Sequence, residues 1–134
     1  MMEDVVSRIR VLVVDDDANV LTTLKWQLET FADVTARSSV ESALPLIEAG
    51  RFDAVVADLR LPNRWGDELL ARVAARSPTT RRFLITGDAD PRRTVRELLE
   101  SGVIDAYFTK PSFDGLFDAL GALIPPEANA PPVP

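Results

Sequence analysis

Four apolar runs in this chain each end in side chains that can do chemistry. Ile9–Val14 is followed by Asp15-Asp16-Asp17, and Asp53–Ala57 by Asp58. Arg82–Thr86 closes in Thr86-Gly87-Asp88, and Val103–Phe108 is followed by Thr109-Lys110-Pro111. If the runs are parallel strands of one open sheet, their carboxyl ends share a rim, which is where such sheets bind ligands. Three or four carboxylates, one hydroxyl and one ammonium then converge there. Like charges so placed resist ionising together, and a divalent cation is the natural compensator. Every available donor is oxygen, which points to Mg²⁺, or Mn²⁺, rather than zinc.

Composition narrows the chemistry further. The 134 residues include no cysteine and no histidine. That removes disulfides, thiolate nucleophiles, Ser–His–Asp triads and His- or Cys-ligated zinc. Carboxylates, lysine, Ser/Thr and the lone Tyr107 remain. The net charge of −6, from 15 basic and 21 acidic residues, argues against a domain built to hold a nucleic-acid backbone. Met1–Arg10 lacks the apolar core of a signal peptide, and no apolar run approaches the roughly 18 residues that span a bilayer. The expectation is a cytoplasmic protein with no membrane contact. With 46% hydrophobic residues the length suits one packed domain and is too short for two.

The elements that must position these residues alternate in type. Ile9–Val14 is continuously apolar, as a strand covered on both faces should be. A helix is expected over about Ala18–Phe31, with Leu21, Leu24, Leu28 and Phe31 on one stripe and Asp17 as its N-cap. Val34–Ala36 reads as a short strand. Ser38 with Glu41 suggests a capping box for a helix to about Ala49, stopped by Gly50 and interrupted by Pro45. The strand Asp53–Ala57 leads through a loop around Leu61-Pro62 to a helix over Gly66–Arg76, then to the strand Arg82–Thr86. Asp90-Pro91 opens a helix carrying Val95, Leu98 and Leu99 that stops at Gly102. Val103–Phe108 is the fifth strand, and Ser112 is expected to cap a last helix with Leu116, Phe117, Leu120 and Leu123 inward. Such alternation means an α/β domain with helices on both faces of a parallel sheet. Residues 1–8 read as an N-terminal extension, 9–124 as the domain, and 125–134 as a proline- and alanine-rich flexible tail.

The motifs VVDD, DLRLP beginning at Asp58, LITG around Thr86 and YFTKP around Lys110 resemble, in this order, the bacterial response-regulator receiver family. Each is weak alone; four in order, each at its own strand end, are specific, and the likeness covers nearly all of residues 9–124. It implies a flavodoxin-like (βα)5 fold with strand order 2-1-3-4-5. It also implies that Asp58 is the phosphoacceptor, that Asp15 and Asp16 hold Mg²⁺ with Asp58, and that the Arg60 carbonyl completes the protein ligands. Lys110 would neutralise and orient the Asp58 carboxylate, and Thr86 would donate its hydroxyl to the phosphoryl group. Gly87 would leave room beside that group. Tyr107, three before Lys110, matches the aromatic that turns inward when Thr86 moves. The partner implied is a sensor histidine kinase or histidine phosphotransfer protein, since this chain supplies no histidine; an output domain or downstream protein would read the state.

Two rival readings use the same residues. A haloacid-dehalogenase-like phosphatase would take Asp15 and Asp17 as its DxD pair, but needs a further acidic strand after the lysine and leaves Asp58 idle. A receiver-like interaction module that is never phosphorylated usually lacks an acidic residue, the acceptor or the lysine, and all stand here. Subtype signals are sparse. The last helix carries Asp114 and Asp118 and no basic residue, unlike receivers that dimerise by pairing opposite charges across that face. The segment TTRRFLITGDADPRRTV is similar to receivers fused to phosphodiesterase, phosphatase or transcriptional outputs. Trp26 falls opposite the apolar stripe of the first helix and is a candidate docking residue for the phosphodonor. Arg60 and Asp88, each two residues beyond a site residue, are a candidate ion-pair gate over the phosphate site.

Overall fold

In the computed structural model, residues 8–87 and 92–125 are described. The strands are β1 (Ile9–Val14), β2 (Ala32–Arg37), β3 (Ala54–Asp58), β4 (Arg81–Thr86) and β5 (Ala106–Thr109). The helices are α1 (Ala18–Leu28), α2 (Val40–Ala49), α3 (Gly66–Arg76), α4 (Arg92–Glu100) and α5 (Leu116–Gly121). All strand pairs are parallel, and the five-stranded sheet runs β2-β1-β3-β4-β5, the order the resemblance implied.

Period-two alternation along the continuous apolar strands divides the core in two. Leu12, Val14, Val55, Ala57 and Leu84 face Val40, Ile47, Leu69, Val73, Val95 and Leu98 of α2, α3 and α4. Val11, Val13, Val56, Phe83 and Ile85 face Leu24 and Leu28 of α1 and Leu116 and Leu120 of α5. Truncating any of the fully buried leucines to alanine is expected to cost about 2–5 kcal/mol, because transfer and cavity terms add.

Several boundaries differ from the sequence reading. Helix α1 ends at Leu28, and Phe31 sits in the turn that feeds β2, which is longer than expected. The cap of α2 is Ser39, not Ser38: Ser39 Oγ accepts from the Ser42 N–H and Ser42 Oγ from the Ser39 N–H. Because β2 runs to Arg37 and Val40 is already buried, the turn is one residue later than Ser38 would place it. Strand β5 starts only at Ala106, since Val103 and Ile104 close the end of α4 by donating to the Leu98 carbonyl. Helix α5 starts at Leu116 rather than after Ser112. Phe113 and Gly115 have positive φ, and that turn drives Phe113 into the core before the helix begins. Gly50 and Asp17 cap α2 and α1 as expected, and Pro45 lies inside α2. Asp90-Pro91 lies outside the described residues.

Candidate functional site

Parallel register brings the strand ends together. Val14 pairs with Ala57, so Asp15 and Asp58 are neighbours; Asp58 pairs with Ile85, so Thr86 follows; Thr86 pairs with Thr109, so Lys110 comes next. The Lys110 N–H donates to the Thr86 carbonyl at 2.9 Å, which fixes where the lysine leaves β5, and the Lys110–Pro111 peptide is cis.

Asp15 is fully buried and Asp58 is 6% exposed. Lys110 Nζ donates to Asp58 Oδ2 at 3.1 Å and forms an ion pair with Asp15 Oδ2 at 2.7 Å. Asp15 Oδ1 accepts from the Asp17 N–H at 2.8 Å, while Oδ2, close to the ammonium, receives no directed hydrogen bond. Burial, then the nearby Asp15 charge, pushes the Asp58 carboxyl above its ordinary pKa, against the opposing pull of Lys110 and the Arg60 N–H. Burial also works to lower the Lys110 pKa, but the Asp15 and Asp58 carboxylates outweigh it and hold the ammonium above its usual value.

One carboxylate oxygen from each of Asp15, Asp16 and Asp58 lies within 4.8 Å of the others. This all-oxygen set, with a buried carboxylate atom lacking a hydrogen bond, fits a hard divalent cation such as Mg²⁺. Asp17 is not part of it, since its carboxylate accepts from the Asn19 N–H at 2.9 Å and caps α1. The carboxylates brought together are those of Asp15, Asp16 and Asp58, not the Asp15–Asp17 pair a dehalogenase-type phosphatase would need.

Thr86 is buried at the end of β4, and Tyr107 is exposed on β5. Trp26 is 76% exposed on α1, the helix that follows directly on Asp15–Asp17. Asp88 lies outside the described residues. The Arg60 guanidinium sits over the Trp65 ring, 5.1 Å from its centroid, and the two residues form an isolated antiparallel bridge that closes the loop between β3 and α3.

Sequence reasoning passed over two residues here. Trp65 is one, the partner of Arg60. Gly66 is the other: a Cβ at this position would lie 1.9 Å from the Asp58 carbonyl oxygen. The start of α3 thus rests directly on the backbone of Asp58, with the Gly66 N–H donating to the Leu59 carbonyl at 2.9 Å. A glycine at the first helical position was visible, but the close approach that requires it was not.

A sheet of this order, with this rim, defines a receiver-type α/β domain. Residues 11–120 match the response regulator receiver domain family, and the chain belongs to that family. It is 32% identical over 120 residues to the transcriptional regulatory protein TcrA of Mycobacterium tuberculosis, covering 88% of this chain and 47% of that protein. To the alginate biosynthesis transcriptional regulatory protein AlgB of Pseudomonas aeruginosa it is 31% identical over 103 residues, covering 76% of this chain and 22% of that protein. The chain thus spans about a fifth of AlgB and about half of TcrA. Among solved structures, the BeF3-activated receiver domain of DrrB from Thermotoga maritima superimposes with a TM-score of 0.78 at 28% identity, over 87% of this chain and 97% of that one.

Proposed function

We propose that Asp58 is the phosphoacceptor of this receiver domain and that Asp15, Asp16 and Asp58, with the Arg60 carbonyl, hold Mg²⁺ beside it. The observation that carries this reading is Lys110 Nζ, placed between the Asp58 and Asp15 carboxylates at 3.1 and 2.7 Å. A bound Mg²⁺ would neutralise the charge that builds on the phosphoryl oxygens. The chain's own residues supply the rest. An Asp58 carboxylate oxygen bonds to phosphorus as the phosphorus–nitrogen bond of a partner phosphohistidine breaks, and the imidazole leaves with the electron pair. Lys110 keeps Asp58 oriented and meets one phosphoryl oxygen; the Thr86 hydroxyl donates to another. Tyr107, now outward, turns inward when Thr86 moves toward the phosphoryl group. No substrate is turned over, so the domain acts as a signalling acceptor rather than an enzyme.

The partner is a sensor histidine kinase or histidine phosphotransfer protein, in the cytoplasm. No helix among the described residues is long and apolar enough to cross a membrane. TcrA and AlgB are transcriptional regulatory proteins, which supports a transcriptional output, carried on a further domain or a downstream protein.

Acetyl phosphate with Mg²⁺ should add one phosphoryl mass, labile to base and hydroxylamine. EDTA should suppress it and Asp58→Asn should abolish it. Full labelling of Asp58→Asn would overturn the assignment.

A further inference from the structure

At the opposite end of β4 from Thr86 stands a buried cation that the phosphoacceptor chemistry does not use. Arg82 is 8% exposed. Its Nε donates to the Val103 carbonyl at 3.0 Å and Nη2 to Gly102 at 3.1 Å. Its Nη1 donates to Thr80 at 2.7 Å and Pro78 at 3.2 Å. Among the described residues no carboxylate contacts the guanidinium. Burying a guanidinium against carbonyls alone is costly unless the local field is negative. Two of these carbonyls, of Gly102 and Val103, lie just past Glu100, the last residue of α4, where the helix's field is negative.

That terminus is built for the purpose. Gly102, at φ +79°, donates to Leu99 and Val103 donates to Leu98, the reciprocal pair that ends a helix in a left-handed glycine. The turn leaves the Gly102 and Val103 carbonyls aimed at Arg82. The next residue but one completes the seam: the Arg82 N–H donates to Asp105 Oδ2 at 2.8 Å and the Asp105 N–H to the Arg82 carbonyl at 2.7 Å. Arg81 Nη1 pairs with Asp105 Oδ1 at 3.6 Å. Elsewhere α4 holds on weakly. Of its residues from Thr94 onward only Val95 and Leu98 are buried, while Arg96, Glu97, Leu99 and Glu100 are exposed.

We propose that Arg82 is a fixed pivot for α4: the buried guanidinium pins the C-terminal turn of the helix to β4, so that a phosphoryl group at Asp58 changes α4 from its N-terminal side only. A single strand then carries both ends of the device, Thr86 at the phosphate site and Arg82 at the pivot. Thr86 is joined in sequence to the start of α4, whereas Gly102, Val103 and Asp105 are bonded to Arg82 and Arg81 and stay. This rests on the reading of Asp58 as acceptor.

The test is amide hydrogen exchange by NMR on the full chain with Mg²⁺, with and without beryllofluoride as the phosphoryl mimic. In the wild type, protection should change over Thr94–Leu98 and stay constant over Ser101–Asp105. Equal changes in both segments overturn the pivot while leaving the acceptor reading intact; failure to bind beryllofluoride overturns both. Arg82→Met strips four carbonyls of their donor and is liable to unfold the chain, so Arg82→Lys is the working variant. An ammonium cannot span both sets of carbonyls, so exchange at Ser101–Asp105 should quicken about tenfold and the beryllofluoride response should spread into that segment. Wild-type exchange and response in Arg82→Lys would also overturn the pivot.

Discussion

Lys110 approaches Asp15 more closely than it approaches Asp58, with Nζ 2.7 Å from Asp15 Oδ2. Its ammonium therefore balances the buried half of the acidic pair and competes with any cation for that oxygen. Lys110→Met removes the competitor and the phosphoryl contact together. Mg²⁺ should bind this variant more tightly by roughly tenfold, the equivalent of about 1.4 kcal/mol in a partly screened site. Labelling by acetyl phosphate should fall by at least about tenfold. Isothermal titration and mass spectrometry read the two effects; weaker Mg²⁺ binding in the variant would show that Lys110 organises the carboxylates instead of competing for them.

Asp58 is a destabilising carboxylate when the metal is absent. Its folded-state pKa is raised, first by burial and then by Asp15, so the folded state holds that proton more firmly than the unfolded chain does. This contribution to stability is fully present below the unfolded pKa and is lost as pH rises through the higher folded one. At neutral pH Asp58→Asn should raise the melting temperature of the metal-free protein, by about 3–5 °C for each kcal/mol relieved in a domain this size. Saturating Mg²⁺ should stabilise the wild type and act much less on the variant. The advantage of Asp58→Asn should shrink as pH is lowered toward the ordinary carboxylate range. A metal-free melting curve unmoved by the substitution would contradict this account.

Gly66→Ala should damage the site through the backbone. The added methyl meets the Asp58 carbonyl oxygen at 1.9 Å, and neither side of that contact is a flexible side chain. Either α3 or the end of β3 must shift, at a cost of about 2–4 kcal/mol. Denaturant unfolding should show that loss, and labelling of Asp58 should slow even where the protein remains folded. Wild-type stability would mean that the loop between β3 and α3 moves to absorb the methyl.

Gly66 also marks the limit of what the sequence discloses. The strands and the four strand-end motifs are legible because they are local: a continuous apolar run, a carboxylate where it stops. Parallel pairing of those strands then places Asp15, Asp58, Thr86 and Lys110 on one rim. Contacts of backbone with backbone leave no such trace. Nothing in the letters says that Gly66 touches Asp58, or that Arg82, at the head of an ordinary strand, holds the carbonyls of Gly102 and Val103. Helix ends fail for a related reason: the sequence points to Ser38 as the cap of α2, and the cap falls on Ser39 because β2 extends to Arg37.

Arg60 and Trp65 should act as one unit on the lifetime of the phosphorylated state. The sequence suggested that Arg60 guards the site with Asp88; in the structure its guanidinium rests on the Trp65 ring. Replacing both Arg60 and Asp88 with alanine should speed hydrolysis of the acyl phosphate by up to roughly tenfold. Trp65→Leu should push in the same direction by releasing the stacked guanidinium, and should add nothing in an Arg60→Ala background. The decay of phosphorylated proteins at fixed Mg²⁺ measures this. Additive effects would separate the two residues, and unchanged half-lives in the alanine pair would remove the gate.

Trp26 offers the clearest test of partner docking. It is 76% exposed, which leaves an amphipathic ring of the kind enriched at interfaces open to a partner. It stands on α1 about 12 Å along the helix axis from Ala18, which follows directly on the acidic triplet. Truncating an exposed aromatic removes little from the fold, so Trp26→Ala should change stability by no more than about 0.5 kcal/mol. An aromatic anchor in an interface is worth about 1–2 kcal/mol or more, so transfer from a cognate phosphohistidine protein should slow by roughly tenfold. Labelling by acetyl phosphate, which needs no protein surface, should be unchanged. Comparing the two donors side by side separates the roles: equal losses with both would place Trp26 in the fold, and equal rates with the protein donor would clear α1 of this contact.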